Sequence, residues 1–532
     1  MAKFFKIIAC ILSLCFCVAF FAACGENNGT TPPGGTTGPG STPPITGEEK
    51  PPVPGEDEKV LKLEDFGLAD EIASINIVTD GNVPIEGGPK RPFGDDAQPY
   101  YGCSVTLTKG REGENFSERR AQVRVRGNNT AEYDKKSFRL KFDKKVNLLG
   151  LNGGNAYKSW VLLACYKDVT FLRDAVVFEL AKHTLKENGL YASDYSFAEV
   201  SVNGEYNGLY MVAEQQQVNT SRVDINEPEE GYEGVDIGYF VEYDGNAVMT
   251  EKPGYYFSLN YGDYMLTCED GTEHIPEQWH GNRSTYYTVK NDMYGQNIRN
   301  TEQLKFITSY VDNVFKIMYD AIYNGIYTTF NADYTAIVPS EFTDSRTTLE
   351  AIVDIPSLVD MFILQEVACD NDVDWSSFFF SVDMSATGNK KLIFQAPWDF
   401  DSGFGMMRGL EELDQIFTGN VSTNAAQGLN PWLALPVHAD WFMQEVALRW
   451  NNLVDEGVFD RLISLIDVVT EGYESYFVRN YEKWDNLGVM VDPVQSETIK
   501  TFKTHSEASG YLKNWLTHRI EFLTEYFSAE KQ

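Results

Sequence analysis

Five aspartates bracket one stretch of the chain: Asp370, Asp372 and Asp374 in "ACDNDVDWSS", and Asp399 and Asp401 in "QAPWDFDSGFG". Carboxylates crowded together repel one another, and a divalent cation relieves that repulsion. Hard oxygen ligands with water suit Mg²⁺ or Ca²⁺. Between the two aspartate runs lie "SFFFSVD" (377–383) and "KLIFQAPW" (391–398), apolar segments joined by a turn at "TGN". An antiparallel hairpin sets the start of its first strand beside the end of its second, about 4.8 Å away. The spacing therefore predicts all five carboxylates at one hairpin mouth, directly after a buried helix. Two readings stand on spacing alone: a cation site, or side chains that simply reach solvent.

The elements that must position these residues are legible as periodicity. "SINIVTDG" and "CSVTLTKG" read as strands. In "RAQVRVRGNN", Val123 and Val125 face one way and Arg124 and Arg126 the other, and "KSFRLKF" alternates again. The two form a hairpin with a long polar tip. "WVLLA" is a short buried strand; Asp168 then caps a helix predicted to run to Gly189, with Leu172, Val176 and Leu180 at helical spacing. Asn203-Gly204 joins two further strands in a tight hairpin. Residues 70–245 thus read as a curled antiparallel sheet with one long helix. After Gly245 helical patterns dominate: "QLKFITSYVDNVFKIMYDAIYNG", "IPSLVDMFILQEVACD" with Pro356 in its first turn, and three amphipathic runs near the end. The class is α+β, a β-rich first lobe (about 60–245) followed by a mainly helical second lobe (about 246–532).

Composition sets the compartment and the excluded partners. Lys3 and Lys6 precede the apolar "IIACILSLCFCVAFFAAC", which reads as a secretory signal over residues 1–23. "FAAC" resembles a bacterial lipobox, which implies lipidation of Cys24 and a membrane-anchored, extracytoplasmic lipoprotein. Residues 24–59 are Gly-, Pro- and Thr-rich and act as a tether. The formal charge of −34 argues against nucleic acid as a partner. Of eight cysteines, Cys103, Cys165, Cys268 and Cys369 lie beyond the signal and Cys24, with no CxxC pair, so a structural zinc site has no support. An oxidising setting permits one or two disulfides, but Cys165 and Cys369 sit in apolar surroundings that suit buried thiols. The six histidines form no HExxH motif.

The ordered pieces "RVRGNNT…DKKSFRLKF", "WVLLACYKDVTFLRD", "FAEVSVNGEYNGLYMVAE", "LQEVACDNDVDWSSFFF" and "APWDFDSGFG" resemble the CotH family of spore-coat-protein-H-like proteins, from about residue 70 to 525. The resemblance implies an atypical, two-lobed protein-kinase fold and ATP-dependent phosphorylation of protein Ser or Thr with Mg²⁺ or Mn²⁺. Within it, Lys136 looks like the strand lysine that meets the ATP phosphates, with Lys135 the neighbouring candidate. Alternation favours Lys136, which would share a face with Phe138 and Leu140. Arg126, Gly127 and Asn128 resemble the family's RGN turn over the nucleotide. Asp372 looks like the catalytic aspartate that orients the acceptor hydroxyl or takes its proton. Asp399 resembles the metal-chelating aspartate of DFG, with Asp401 beside it. Ser377 stands where ordinary kinases carry an Asn that binds a second metal. Glu214 matches a recurrent acidic residue near the interlobe site, Glu179 is a candidate partner for Lys136, and Arg173 reads as a structural ion-pair former.

The sequence thus points to a lipid-anchored CotH-like Ser/Thr kinase, and its acidity suits a basic, Ser-rich protein substrate. Two rivals remain: a kinase-fold surface protein that binds a protein or cell-wall partner without catalysis, favoured by Ser377, and a metal-dependent hydrolase built on the aspartates.

Overall fold

The computed structural model describes residues 60–89, 98–229, 231–276, 284–291, 301–420 and 429–529. The signal, Cys24 and the tether lie outside the described residues. Strands β1 (Ala73–Thr79), β2 (Tyr101–Thr108), β3 (Phe116–Arg126), β4 (Ser137–Val146), β5 (Tyr157–Leu163), β6 (Tyr195–Val202) and β7 (Glu205–Glu214) close into a barrel in the order β1-β2-β3-β4-β5-β7-β6. The curled sheet read from the sequence is in fact a closed ring, because β1 also pairs in parallel with β6. Closure removes both sheet edges. Alternation decides what fills it: Val123, Val125, Phe138, Leu140 and Trp160 are buried inside, while Arg124 and Arg126 point out. The β6–β7 hairpin turns at Asn203 (φ 54°) and Gly204 (φ 84°), the left-handed pair a two-residue turn requires.

Helix α1 (Arg173–Lys182) starts later and ends sooner than the predicted helix. The Asp168 carboxylate accepts from the Thr170 and Arg173 amides at 3.0 Å each, so the cap sits one turn upstream of the helix proper. Beyond Lys182 the chain descends through turns to Gly189, whose φ is 77°. Arg173 pairs with Asp168, as a structural ion pair should.

A second sheet is built from β8 (Gly238–Tyr243), β9 (Tyr256–Asn260), β10 (Ser284–Val289), β11 (Phe378–Asp383) and β12 (Ile393–Phe394), in the order β12-β11-β8-β10-β9. The predicted hairpin is its β11–β12 edge, with Phe380 opposite Phe394. Its second arm is shorter than expected because Ala396 turns left-handed (φ 63°) and its amide leaves the ladder for the Tyr191 carbonyl, 2.9 Å away. Because β8 pairs along its whole length with β11, residues 238–243 belong to the same sheet as the second half of the chain. The change of architecture therefore falls between β7 and β8, not at residue 245.

Helices α2 (Thr301–Tyr319), α3 (Ile355–Ala368), α4 (Asp440–Asp455), α5 (Val458–Gly472), α6 (Glu474–Trp484) and α7 (His505–Ala529) complete the second half. Asp354 caps α3, accepting from the Ser357 amide at 3.0 Å, and α3 is buried on every face. Helices and mostly antiparallel strands are both present, consistent with an α+β class. Among the described residues no helix is long and apolar enough to cross a membrane. Cys103, Cys165, Cys268 and Cys369 are free thiols.

Candidate functional site

The site forms where three elements end together. Helix α3 stops at Cys369, whose left-handed backbone (φ 46°) throws the chain into the loop that carries Asp370 and Asp372. The loop that follows β12 carries Asp399 and Asp401. The start of α1 fastens the second loop: Asp174 Oδ1 accepts from the Phe400 amide at 2.8 Å and Arg173 Nε donates to the Gly403 carbonyl at 3.2 Å. Phe404 donates its amide to the Ala368 carbonyl at 2.6 Å. Gly403 allows that approach, since a Cβ there would lie 2.7 Å from the Ala368 oxygen.

Of the five aspartates, Asp372, Asp399 and Asp401 line one cleft of about 480 Å³. That volume is in the range of small-ligand sites. Asp370 is buried just behind them, and Asp374 turns away toward Asn430 and Phe417. Ser377 donates its hydroxyl to Asp399 Oδ2 at 3.4 Å. Asp399 presents surface to the cleft, yet the crowding walls, and then the neighbouring Asp401 charge, hold its carboxyl above the usual carboxylate range. Burial, followed by the Asp372 and Asp399 charges, raises Asp370 as well. The aspartates therefore repel one another as their spacing predicts.

A cation already offsets part of that repulsion. Lys167 is buried; its Nζ lies 3.1 Å from Asp401 Oδ1 and donates to Ser402 Oγ. Burial lowers its pKa, but the Asp401 and Asp372 charges outweigh that and hold the ammonium protonated. Ser402 Oγ in turn donates to Asp372 Oδ2 at 2.8 Å. The barrel supplies the facing wall through Arg126, Gly127 and Asn128. The Arg126 guanidinium stacks over the Trp398 ring, 5.4 Å from its centroid. Gly127 holds φ 104°, and a Cβ there would meet Thr130 Oγ1 at 2.1 Å. Its carbonyl accepts from Gln98 Nε2 at 2.6 Å, which pins the turn from outside the barrel.

The lysines expected at the phosphates are not brought to the cleft. Alternation does not extend to them, because β4 begins only at Ser137 and Lys135 sits in a bend. Lys136 is half-buried and donates to the Ala131 carbonyl at 2.8 Å. Lys135 is buried beneath the barrel, donating to the Ala164 carbonyl (2.7 Å), Asn480 Oδ1 (3.0 Å) and the Leu209 carbonyl. Glu214 is a buried structural acid: Arg222 Nε lies 3.0 Å and Asn152 Nδ2 2.6 Å from its Oε1. It is Gln215, Gln216 and Gln217 after it that reach the cleft. Glu179 pairs with Arg461 at 2.7 Å and Lys182 at 3.0 Å, not with Lys136. Lys167 and Ser402 went unread in the sequence. The one signal available was their place inside "ACYKDVT" and "DFDSG", next to residues already singled out.

Among the described residues no three His, Cys, Asp or Glu side chains gather as a metal-holding group. Asp399, Asp401 and Ser377 offer an open, partial set of hard oxygens. That suits Mg²⁺ or Mn²⁺, which keep waters and share phosphate oxygens, and falls short of the six to eight oxygens Ca²⁺ takes.

A comparison with curated proteins returned no match. A comparison with protein families matches residues 123–523 to the family described as CotH kinase protein. The match takes in Arg126, Lys167, Asp372, Ser377, Asp399 and Asp401, and it covers most of the 532 residues. By that extent, the chain belongs to the CotH kinase family.

Proposed function

We propose that the protein transfers the γ-phosphoryl group of ATP to Ser or Thr of an extracytoplasmic protein, within an atypical, two-lobed kinase-like architecture. The observation that carries the reading is the convergence of Asp372, Asp399 and Asp401 with Arg126 in one cleft. Asp399, with Asp401 and Ser377, would hold Mg²⁺ or Mn²⁺; the ion would neutralise phosphate charge as it develops. Arg126 presents a planar cation to phosphate oxygens, the role the family resemblance implies for Lys136. Asp372 orients the acceptor hydroxyl and takes its proton. The acidity of the chain, a formal net charge of −34, favours a basic, Ser-rich substrate. The N-terminal sequence supports anchorage through lipid on Cys24 at a bacterial surface.

The test is incubation of the purified full chain with labelled ATP, Mg²⁺ or Mn²⁺ and a basic Ser-rich protein, beside Asp399→Ala. Label that disappears in the variant supports the reading. No label and no calorimetric ATP binding in either protein would sink it. Two features favour a second reading, a surface lipoprotein that binds a partner without catalysis: Ser377 stands where ordinary kinases carry Asn, and Lys167 already meets the Asp401 charge. That reading expects ATP to be neither bound nor consumed.

A further inference from the structure

We propose that Lys167 and Ser402 are positioning residues that select which oxygen of Asp372 receives the acceptor hydroxyl; the inference rests on the phosphotransfer reading above. The reasoning turns on counting protons. An ammonium has donors and no acceptor, so Ser402 Oγ must accept from Lys167 Nζ. The serine then has a single proton to give. Its two acceptors are Asp372 Oδ2 at 2.8 Å and Asp401 Oδ1 at 3.4 Å, and the shorter, better contact is to Asp372. Asp401 Oδ1 meanwhile receives the ammonium directly at 3.1 Å.

Both donors are fixed in place. Ser402 has no exposed surface and Lys167 is 7% exposed, so neither side chain is free to swing or to exchange its partner for bulk water. The loop beneath them is held by the Gly403 amide, which donates to the Phe400 carbonyl, and by the Phe404 amide on Ala368. The carboxylate of Asp372 is therefore held by one oxygen. Asp372 Oδ1 makes no hydrogen bond to a described residue and is the one left for an incoming O–H.

In the transfer step the acceptor oxygen forms a bond to the γ-phosphorus, and the bond from that phosphorus to the β–γ bridging oxygen breaks. ADP leaves with that electron pair, and the hydroxyl proton passes to Asp372 Oδ1. Lys167 and Ser402 keep all their protons; their contribution is orientation. Misplacing a reacting group by about 1 Å lowers the rate on the order of 10²-fold.

The test uses the full chain with labelled ATP, Mg²⁺ and the basic Ser-rich protein, comparing Lys167→Met, Ser402→Ala and Ser402→Thr. The expected result is a fall in kcat on the order of 10²-fold in the first two, with KM for ATP and melting temperature unchanged in Ser402→Ala. Ser402→Thr, which keeps the hydroxyl, should recover most of the lost kcat. An unchanged kcat in Ser402→Ala overturns the proposal. So does a rise in KM for ATP in Lys167→Met with Ser402→Ala unaffected, which would make Lys167 a phosphate ligand instead. If Lys167→Met fails to fold, the Ser402 pair decides alone. A wild-type chain that transfers nothing brings down the kinase reading and this inference together; an active wild type with active variants brings down only this inference.

Discussion

Ser377 and Asp399 face each other across the mouth of the β11–β12 hairpin, hydroxyl to carboxylate at 3.4 Å, and both hold a left-handed backbone, φ 63° and 71°. Few residues other than Gly, Asn and Asp adopt that conformation readily. Strained backbone of this kind persists where the surroundings over-determine it, and it gathers at functional sites.

Asp399→Asn separates charge from shape at this position, because Asn tolerates the same backbone. Phosphoryl transfer in the presence of Mg²⁺ should fall by about 10²–10³-fold, the usual scale for losing one electrostatic stabiliser of a transition state. The melting temperature should hold or rise, since a crowded carboxylate is removed. Label incorporation and a thermal melt measure the two; retained transfer would place the metal elsewhere.

Lys135 is expected to matter for stability. Its ammonium lies between the Phe171 and Tyr210 rings, 4.7 and 4.5 Å from their centroids, and burial brings its pKa down to about 7. Lys135→Met strips the donor from three buried acceptors. A loss of about 2–3 kcal/mol should follow, the scale of hydrogen bonds to a charged group. Urea unfolding reads it, and a change below the error of that titration would refute the placement.

The Arg519–Glu366 pair is buried on both sides at 2.7 Å. Arg519 also donates to the Leu413 and Gln415 carbonyls, and Glu366 accepts from the Phe417 and Thr418 amides. Together they fasten the 413–418 loop to α3 and α7. Arg519→Met leaves a buried carboxylate without its cation, so about 3–5 kcal/mol should be lost. Arg519→Met combined with Glu366→Gln should recover part of that loss in the same denaturant titration.

His505 supplies a pH signature. It stacks on Phe477 at 3.5 Å between centroids, and its Nε2 lies 2.9 Å from the Thr170 carbonyl. Burial, only partly opposed by that carbonyl, lowers its pKa from 6.5 to about 4. Between those values the unfolded chain binds more protons than the folded one, so stability rises with pH through this window. It is lost as pH falls from about 6.5 toward 4, by up to about 3 kcal/mol from this group. His505→Phe should flatten the wild-type slope between pH 4 and 6.5; an identical slope would contradict the burial argument.

Where period and turn chemistry act locally, the sequence was sufficient. The Val123/Val125 and Arg124/Arg126 faces, the Asn203-Gly204 turn, Pro356 in the first turn of α3 and the β11–β12 hairpin all follow from neighbours a few residues apart. The same local logic fails at Lys136, which lies one residue before β4 begins, where strand alternation no longer sets the direction of the side chain. It fails again at Glu214, whose partners Arg222 and Asn152 are chosen by the folded barrel.

The sequence by itself determined the class, the order of the elements and the hairpin that draws the two aspartate runs together, but it put all five carboxylates at one mouth, whereas Asp372, Asp399 and Asp401 line the cleft and Asp370 and Asp374 do not. It also determined the family, through motifs whose order is written along the chain. The tertiary structure alone decided that the first sheet closes, that β8 pairs with β11, and that Lys167, not Lys136, meets the aspartates. Those are contacts between segments as much as 235 residues apart, Lys167 to Ser402 among them. No period or spacing encodes them, because packing and charge neutralisation select such partners only once the chain is compact.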